Sequence, residues 1–108
     1  MVGKYKVITL CGSTRFKDEF LQVQKQLTLE GNIVISVGLF GHADGEFGDV
    51  ITPEIKLMLD DIHKRKIDMS DEIYVINKNG YIGESTKSEI GYAIKTRKRV
   101  NYLEYHNA

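Results

Sequence analysis

The sequence predicts an α/β fold, a three-layer, doubly wound parallel sheet of four to five strands in the order 2-1-3-4. Three observations lead there. Short β-branched runs alternate with segments of helical hydrophobic period, which requires crossover connections and hence a parallel sheet. The runs at residues 6–11 and 72–76 are apolar almost throughout, as strands buried on both faces are. The chain has 108 residues, 42% of them hydrophobic, enough for one core and too few for two.

Lys6-Val7-Ile8-Thr9-Leu10-Cys11 reads as the first strand and stops at the turn Gly12-Ser13-Thr14. Phe16, Phe20, Val23 and Leu27 then recur at helical spacing between polar residues, which predicts a first helix from Arg15 that ends at Gly31-Asn32. Ile33-Val34-Ile35-Ser36-Val37 is the second strand. Residues 38–52 follow, rich in glycine and acids and without periodicity, and loops of that length in compact domains are often functional lids or disordered. Thr52-Pro53-Glu54 carries the cap and proline signals of a helix start, and Ile55, Met58, Leu59 and Ile62 share one face of a second helix reaching Asp68. Glu72-Ile73-Tyr74-Val75-Ile76 is the third strand, followed by a polar loop over residues 77–84. A third helix over residues 86–98 turns Ile90, Ala93 and Ile94 inward, and residues 99–103 supply a fourth strand. No repeat, low-complexity tract or linker interrupts this order, so residues 1–108 read as one domain of flavodoxin-like or Rossmann-like architecture.

Fifteen Lys and Arg balance fifteen Asp and Glu, for a formal net charge of zero. No surface-wide field recruits a polyanion, so nucleic acid and anionic membranes are not expected partners, and a charged ligand has to be met by a local site. The single cysteine, Cys11, excludes an internal disulfide, and the first ten residues lack the apolar run of a signal peptide or membrane span. A reducing cytoplasm is the expected location. A small sheet with long loops is also expected to form a homo-oligomer, a dimer or higher, that closes its pocket across the interface.

In a doubly wound sheet the ligand lies outside the carboxyl ends of the strands, where the winding reverses, here between strands one and three. Two loops are thereby nominated, residues 12–15 and 77–85. Gly12-Ser13-Thr14-Arg15 gathers backbone N–H groups, two hydroxyls and a guanidinium at a helix start, which is an anion pocket in one reading and a simple cap by Ser13 or Thr14 in the other. The turn is neither G-x-x-x-x-G-K-[ST] nor G-x-G-x-x-G, so triphosphates and dinucleotides lose their main support while a lone phosphate fits. In the second loop Asn77, Tyr81, Glu84 and Ser85 offer polar groups, and Gly80 and Gly83 permit either close backbone approach to a ligand or a tight turn. Glu89, one turn into the third helix, would turn a carboxylate to the cleft. Yet Thr86-Lys87-Ser88-Glu89 also matches the T-x-x-E capping box, the reading that spacing alone favours.

His42, His63 and His106 have no sequence spacing that suggests a metal site, and Asp44, Glu46 and Asp49 lack the calcium-loop pattern, so neither a metal nor a cofactor is expected. His63 stands at the edge of the second helix's apolar stripe, placed either to reach the end of the sheet or to be satisfied locally. Cys11 reads as a small buried hydrophobe, since the sequence sets no histidine beside it. The basic runs His63-Lys64-Arg65-Lys66 and Lys95 with Arg97, Lys98 and Arg99 lie near helix C-termini and read as solvated ends that complement the macrodipole.

Leu10-Cys11-Gly12-Ser13-Thr14-Arg15 after strand one, combined with residues 83–93 after strand three, resembles the nucleoside 2-deoxyribosyltransferase superfamily, which includes the 2'-deoxynucleoside 5'-phosphate N-hydrolases. Glu89-Ile90-Gly91-Tyr92-Ala93 is similar to the family's E-[LI]-G-x-A, and residues 63–71 with 81–86 look like an uncharacterised branch of small bacterial or phage proteins. The resemblance implies that Glu89 attacks the anomeric carbon of a deoxyribosyl group, the base leaves, and water or a second base takes the sugar. It further implies a nucleoside or nucleotide as partner, with Gly12, Ser13, Thr14 and Arg15 on phosphate or sugar. His63, Asn77, Tyr81, Gly83 and Ser85 are further contacts, and Glu84 or Asn77 serves the leaving base. The likeness is incomplete at the group that protonates the leaving base, which has no direct match, and at two further places. Where the family has a strand-one tyrosine stand Thr9, Leu10 and Cys11, and counting back from Asp71 to the family's helix-two aspartate reaches His63, with Asp60 and Asp61 out of register. These departures leave a non-catalytic nucleotide-binding or sensor protein of the same fold as the alternative.

Overall fold

Alternation along the central strands decides how the layers form. The computed structural model describes residues 2–40 and 51–106, with strands β1 (Val7–Gly12), β2 (Ile33–Ile35), β3 (Glu72–Ile76) and β4 (Arg99–Tyr102) in one sheet. All pairings are parallel and the order is β2-β1-β3-β4, as the alternation of elements predicts. Successive side chains on a strand point to opposite faces. Ile8 and Leu10 of β1 and Ile76 of β3 therefore bury against Phe20, Val23 and Leu27 of helix α1 (Lys17–Leu29). Cys11, Ile73 and Val75 point to the other face, where they meet Ile67 of α2 (Pro53–Asp68) and Ala93 of α3 (Glu84–Lys95). The result is three layers, α1 on one side of the sheet and α2 with α3 on the other.

Several elements start or stop away from their expected places. Strand β1 runs through Gly12, and β2 ends at Ile35, two residues short of Val37. Helix α1 starts at Lys17 with Phe16 as its N-cap and no side-chain cap bond, so neither Ser13 nor Thr14 caps it. Helix α2 begins as the cap signals predict, with the Thr52 hydroxyl accepting from the Ile55 N–H at 3.2 Å. Helix α3 begins at Glu84 on the N-cap Gly83. Thr86 thus lies inside the helix, and the capping box expected of Thr86 and Glu89 does not form.

The buried stripe of α2 is also narrower than expected. Met58 and Ile62, expected to face inward, are 52% and 43% exposed, whereas His63 and Ile67 are buried. The seam runs through positions 55, 59, 63 and 67, so Ile55 and Leu59, both half-buried, lie on it as expected, while Met58 and Ile62 are turned about 100° away. Ile94 of α3, also expected inward, is 63% exposed, while Ala93 beside it is fully buried. No helix among the described residues is long and apolar enough to cross a membrane.

Gly12 closes β1 under a tight constraint. Its φ is +152°, and a Cβ there would lie 2.8 Å from the Ile76 carbonyl oxygen on the paired strand. Gly12→Ala is expected to lower unfolding free energy by about 1–3 kcal/mol, read from urea denaturation, because both backbone conformation and space oppose the methyl group. An unchanged midpoint would mean that the strand end yields freely.

Candidate active site

A cavity of about 440 Å³ opens at the carboxyl end of the sheet, where topology places a ligand. Gly12, Ser13, Thr14 and Arg15 after β1 form one wall, and Tyr81, Gly83, Glu84, Ser85 and Thr86 leading into α3 form another. The α2 face supplies Lys56, Asp60, His63 and Lys66, and Glu89 of α3 completes the lining near them. Of the residues expected from sequence, Asn77 and Gly80 are not on its lining. Asn77 is fully buried, its amide N–H₂ donating to the Glu104 carbonyl and its oxygen accepting from the Glu104 N–H, so it ties the end of β3 to the chain after β4.

The mouth is held by Arg15. Its Nε donates to Ser13 Oγ at 3.0 Å, and its guanidinium lies over the Tyr81 ring, 4.7 Å from the centroid. The N-cap of α3 is Gly83, with no side chain bonded to the first turn. Neither α1 nor α3 has a side-chain cap, but it is the start of α3, Gly83 to Thr86, that lines the cavity, whereas α1 begins at Lys17, outside the lining. Lys56 reaches both Asp60 and Ser85, each at 3.5 Å. Glu84 lies at the rim with its side chain 94% exposed, 3.5 Å from Lys87.

Three elements deliver one buried cluster at the base. Cys11 points from β1 to the face covered by α2 and α3, because it has the strand parity opposite to Leu10. His63 Nε2 lies 3.3 Å from Cys11 Sγ and 3.7 Å from Glu89 Oε1. The His63 and Glu89 side chains are only 10% and 12% exposed. Burial, reinforced by the Asp60 charge, pushes the Glu89 carboxyl up to about 7, with Lys64, Lys56 and a Cys11 hydrogen bond opposing. Burial, with Lys66 acting in the same sense and Asp60 against, brings the His63 imidazole down to about 4. At neutral pH the two are thus a neutral imidazole beside a half-ionised carboxyl, and not an ion pair. Burial and the neighbouring Glu89 hold the Cys11 thiol well above its ordinary range.

Lys66 belongs to the same region and is not the solvated helix end that the basic run suggests. Its ammonium donates to the Ser36 carbonyl at 2.9 Å, and burial lowers its pKa while Cys11 and Glu89 act to raise it. Cys11, His63 and Glu89 place a sulfur, a ring nitrogen and a carboxylate oxygen within 4.8 Å of one another, a possible metal-ligand set that the sequence spacing gave no reason to expect. His106 stacks on Tyr102 at 4.5 Å and is not one of these three donors, whereas His42, Asp44, Glu46 and Asp49 lie outside the described residues. The sequence reading missed Lys56, Asp60, Lys66 and Cys11 as site residues. Only the helical spacing of Lys56, Asp60 and His63 could have pointed to a shared face. No protein-family model matches the chain, and no curated protein matches it.

Proposed function

We propose that the protein cleaves or transfers the N-glycosidic bond of a nucleoside or, with preference, a nucleoside 5'-monophosphate, through a glycosyl ester on Glu89. The observation that carries this reading is a buried carboxyl from the first turns of α3 lining the switch-point cavity, which the Arg15 guanidinium, laid over Tyr81, also lines. In the first step a Glu89 carboxylate oxygen bonds to the anomeric carbon as the carbon–nitrogen bond breaks, and the base departs with the electron pair and takes up a proton. Asp60 and Glu84 are the other carboxyl groups lining the cavity among the described residues, and the departing base takes its proton from solvent water there. In the second step water or another base attacks the same carbon and frees Glu89.

Arg15 and the uncapped start of α3 suit the 5'-phosphate, and a nucleoside without it leaves both without a charged partner. Incubation with deoxynucleosides and their monophosphates is expected to release free base, faster from the monophosphates, as read by chromatography. Arg15→Ala is expected to raise KM for the monophosphate by about tenfold or more and to change kcat less. An equal loss for nucleoside and monophosphate would remove the phosphate from this site.

A non-catalytic nucleotide-binding protein is the second reading. Thr9, Leu10 and Cys11, standing where the resemblance calls for a sugar-contacting tyrosine, are all fully buried and do not line the cavity. That reading predicts a raised melting temperature with nucleotide and no release of base.

A further inference from the structure

We propose that Cys11, His63 and Glu89 form a three-ligand site for a zinc-class divalent cation at the base of the cavity. A zinc ion held tetrahedrally, with Zn–S of about 2.3 Å and Zn–N and Zn–O of about 2.0–2.1 Å, separates its sulfur and nitrogen ligands by about 3.5 Å and its nitrogen and oxygen ligands by about 3.3 Å. The separations here are 3.3 Å from Cys11 Sγ to His63 Nε2 and 3.7 Å from His63 Nε2 to Glu89 Oε1. All three donor atoms lie within 4.8 Å of one another, so shifts well below the length of a bond bring them onto one ion.

The donors also suit the metal. A thiolate, an imidazole and a carboxylate together favour zinc over magnesium or calcium, which prefer oxygen alone. Each donor is carried by a different packed element, and Cys11 sits in the same buried cluster as Ile67 and Ala93, so packing holds the three in place. His63 and Glu89 line the cavity, which leaves a fourth coordination position on that side for water or a ligand atom. Binding forms the sulfur–metal bond as the Cys11 thiol releases its proton to solvent.

One consequence rests on the preceding reading. The Glu89 oxygen that ligates the ion is the one the glycosyl ester needs, so zinc inhibits base release and a chelator restores it.

Cobalt(II) titrated into the reduced, metal-free protein tests the site itself. The expected result is one equivalent bound, with a thiolate-to-cobalt charge-transfer band and the intense visible bands of a tetrahedral ion, all displaced by zinc. Cys11→Ser is expected to lose the charge-transfer band, while His63→Gln and Glu89→Gln each weaken cobalt binding by at least about tenfold. His106→Ala, which removes a histidine outside the donor set, is the control that keeps the band. Absence of the band in folded wild-type protein overturns the site, as does a band unchanged in folded Cys11→Ser. If the serine variant does not fold, unweakened cobalt binding in both Gln variants overturns it equally. Base release is measured on metal-free protein, so the cobalt result and the glycosidic reading fail independently.

Discussion

Glu89→Ala is expected to reduce base release by at least about a thousandfold, because a covalent route loses the atom that holds the sugar between its two steps. The companion Glu89→Gln keeps the shape but not the nucleophile and is expected to lose as much. The wild-type rate should also depend on pH in one direction. The attacking form is the carboxylate, and burial places its ionisation at about 7. Below that value the ionised fraction falls about tenfold for each pH unit, and kcat/KM on a metal-free monophosphate assay should fall with it. Above about 7.5 the profile should level. Activity that survives in Glu89→Ala, or a rate flat from pH 5 to 8, would remove Glu89 from the chemistry.

Glu89→Gln is expected to be the more stable protein at alkaline pH, by up to about 3 kcal/mol. The carboxyl ionises near its ordinary 4.5 in the unfolded chain and at about 7 in the folded one. Between those values the unfolded state gives up a proton that the folded state keeps, so this group costs stability as pH rises through that window. Above 7 both states are ionised, and the cost of a buried charge stays constant. The neutral amide escapes it, so the gap between variant and wild type opens from pH 4.5 to 7 and then holds.

His63 runs in the opposite direction. Its ionisation drops from 6.5 to about 4 on folding, so its stabilising share is present above 6.5 and is lost as pH falls toward 4. Between 4.5 and 6.5 the folded pair holds its proton on Glu89 and the unfolded pair holds it on His63. The proton count is equal, and the contribution of the wild-type pair is flat there. Urea denaturation of wild type and Glu89→Gln across pH 4.5–8.5, with chelator present, separates the two groups. A constant gap between the proteins across that range would contradict the buried, proton-retaining carboxyl.

The elements whose period is local were legible from residues alone. Phe20, Val23 and Leu27 mark the inner face of α1, Thr52-Pro53 marks the start of α2, and Glu72 to Ile76 marks β3, each as the structure has it. What failed was the extent of burial and neighbourhood. The apolar stripe of α2 is wider than the surface that covers it, so Ile55 and Leu59 are half-buried while Met58 and Ile62 at its edge stay exposed. The capping-box match at Thr86 and Glu89 misled because Gly83, with no side chain to signal a cap, is where the helix begins.

The sequence by itself determined the alternation of strand and helix, and through it the strand order and the end of the sheet at which a cavity lies. Those follow from side-chain period and from the geometry of parallel crossovers, both carried by short stretches of chain. Only the tertiary structure decided that Cys11, His63 and Glu89 meet, since positions 52 residues apart come within 3.3 Å only when α2 is laid across β1. It also decided their charge states, because desolvation depends on what covers a group and not on its neighbours in sequence. A chain of zero net charge thus holds, where Cys11, His63 and Glu89 meet, a neutral imidazole, a retained thiol proton and a carboxyl balanced near neutrality.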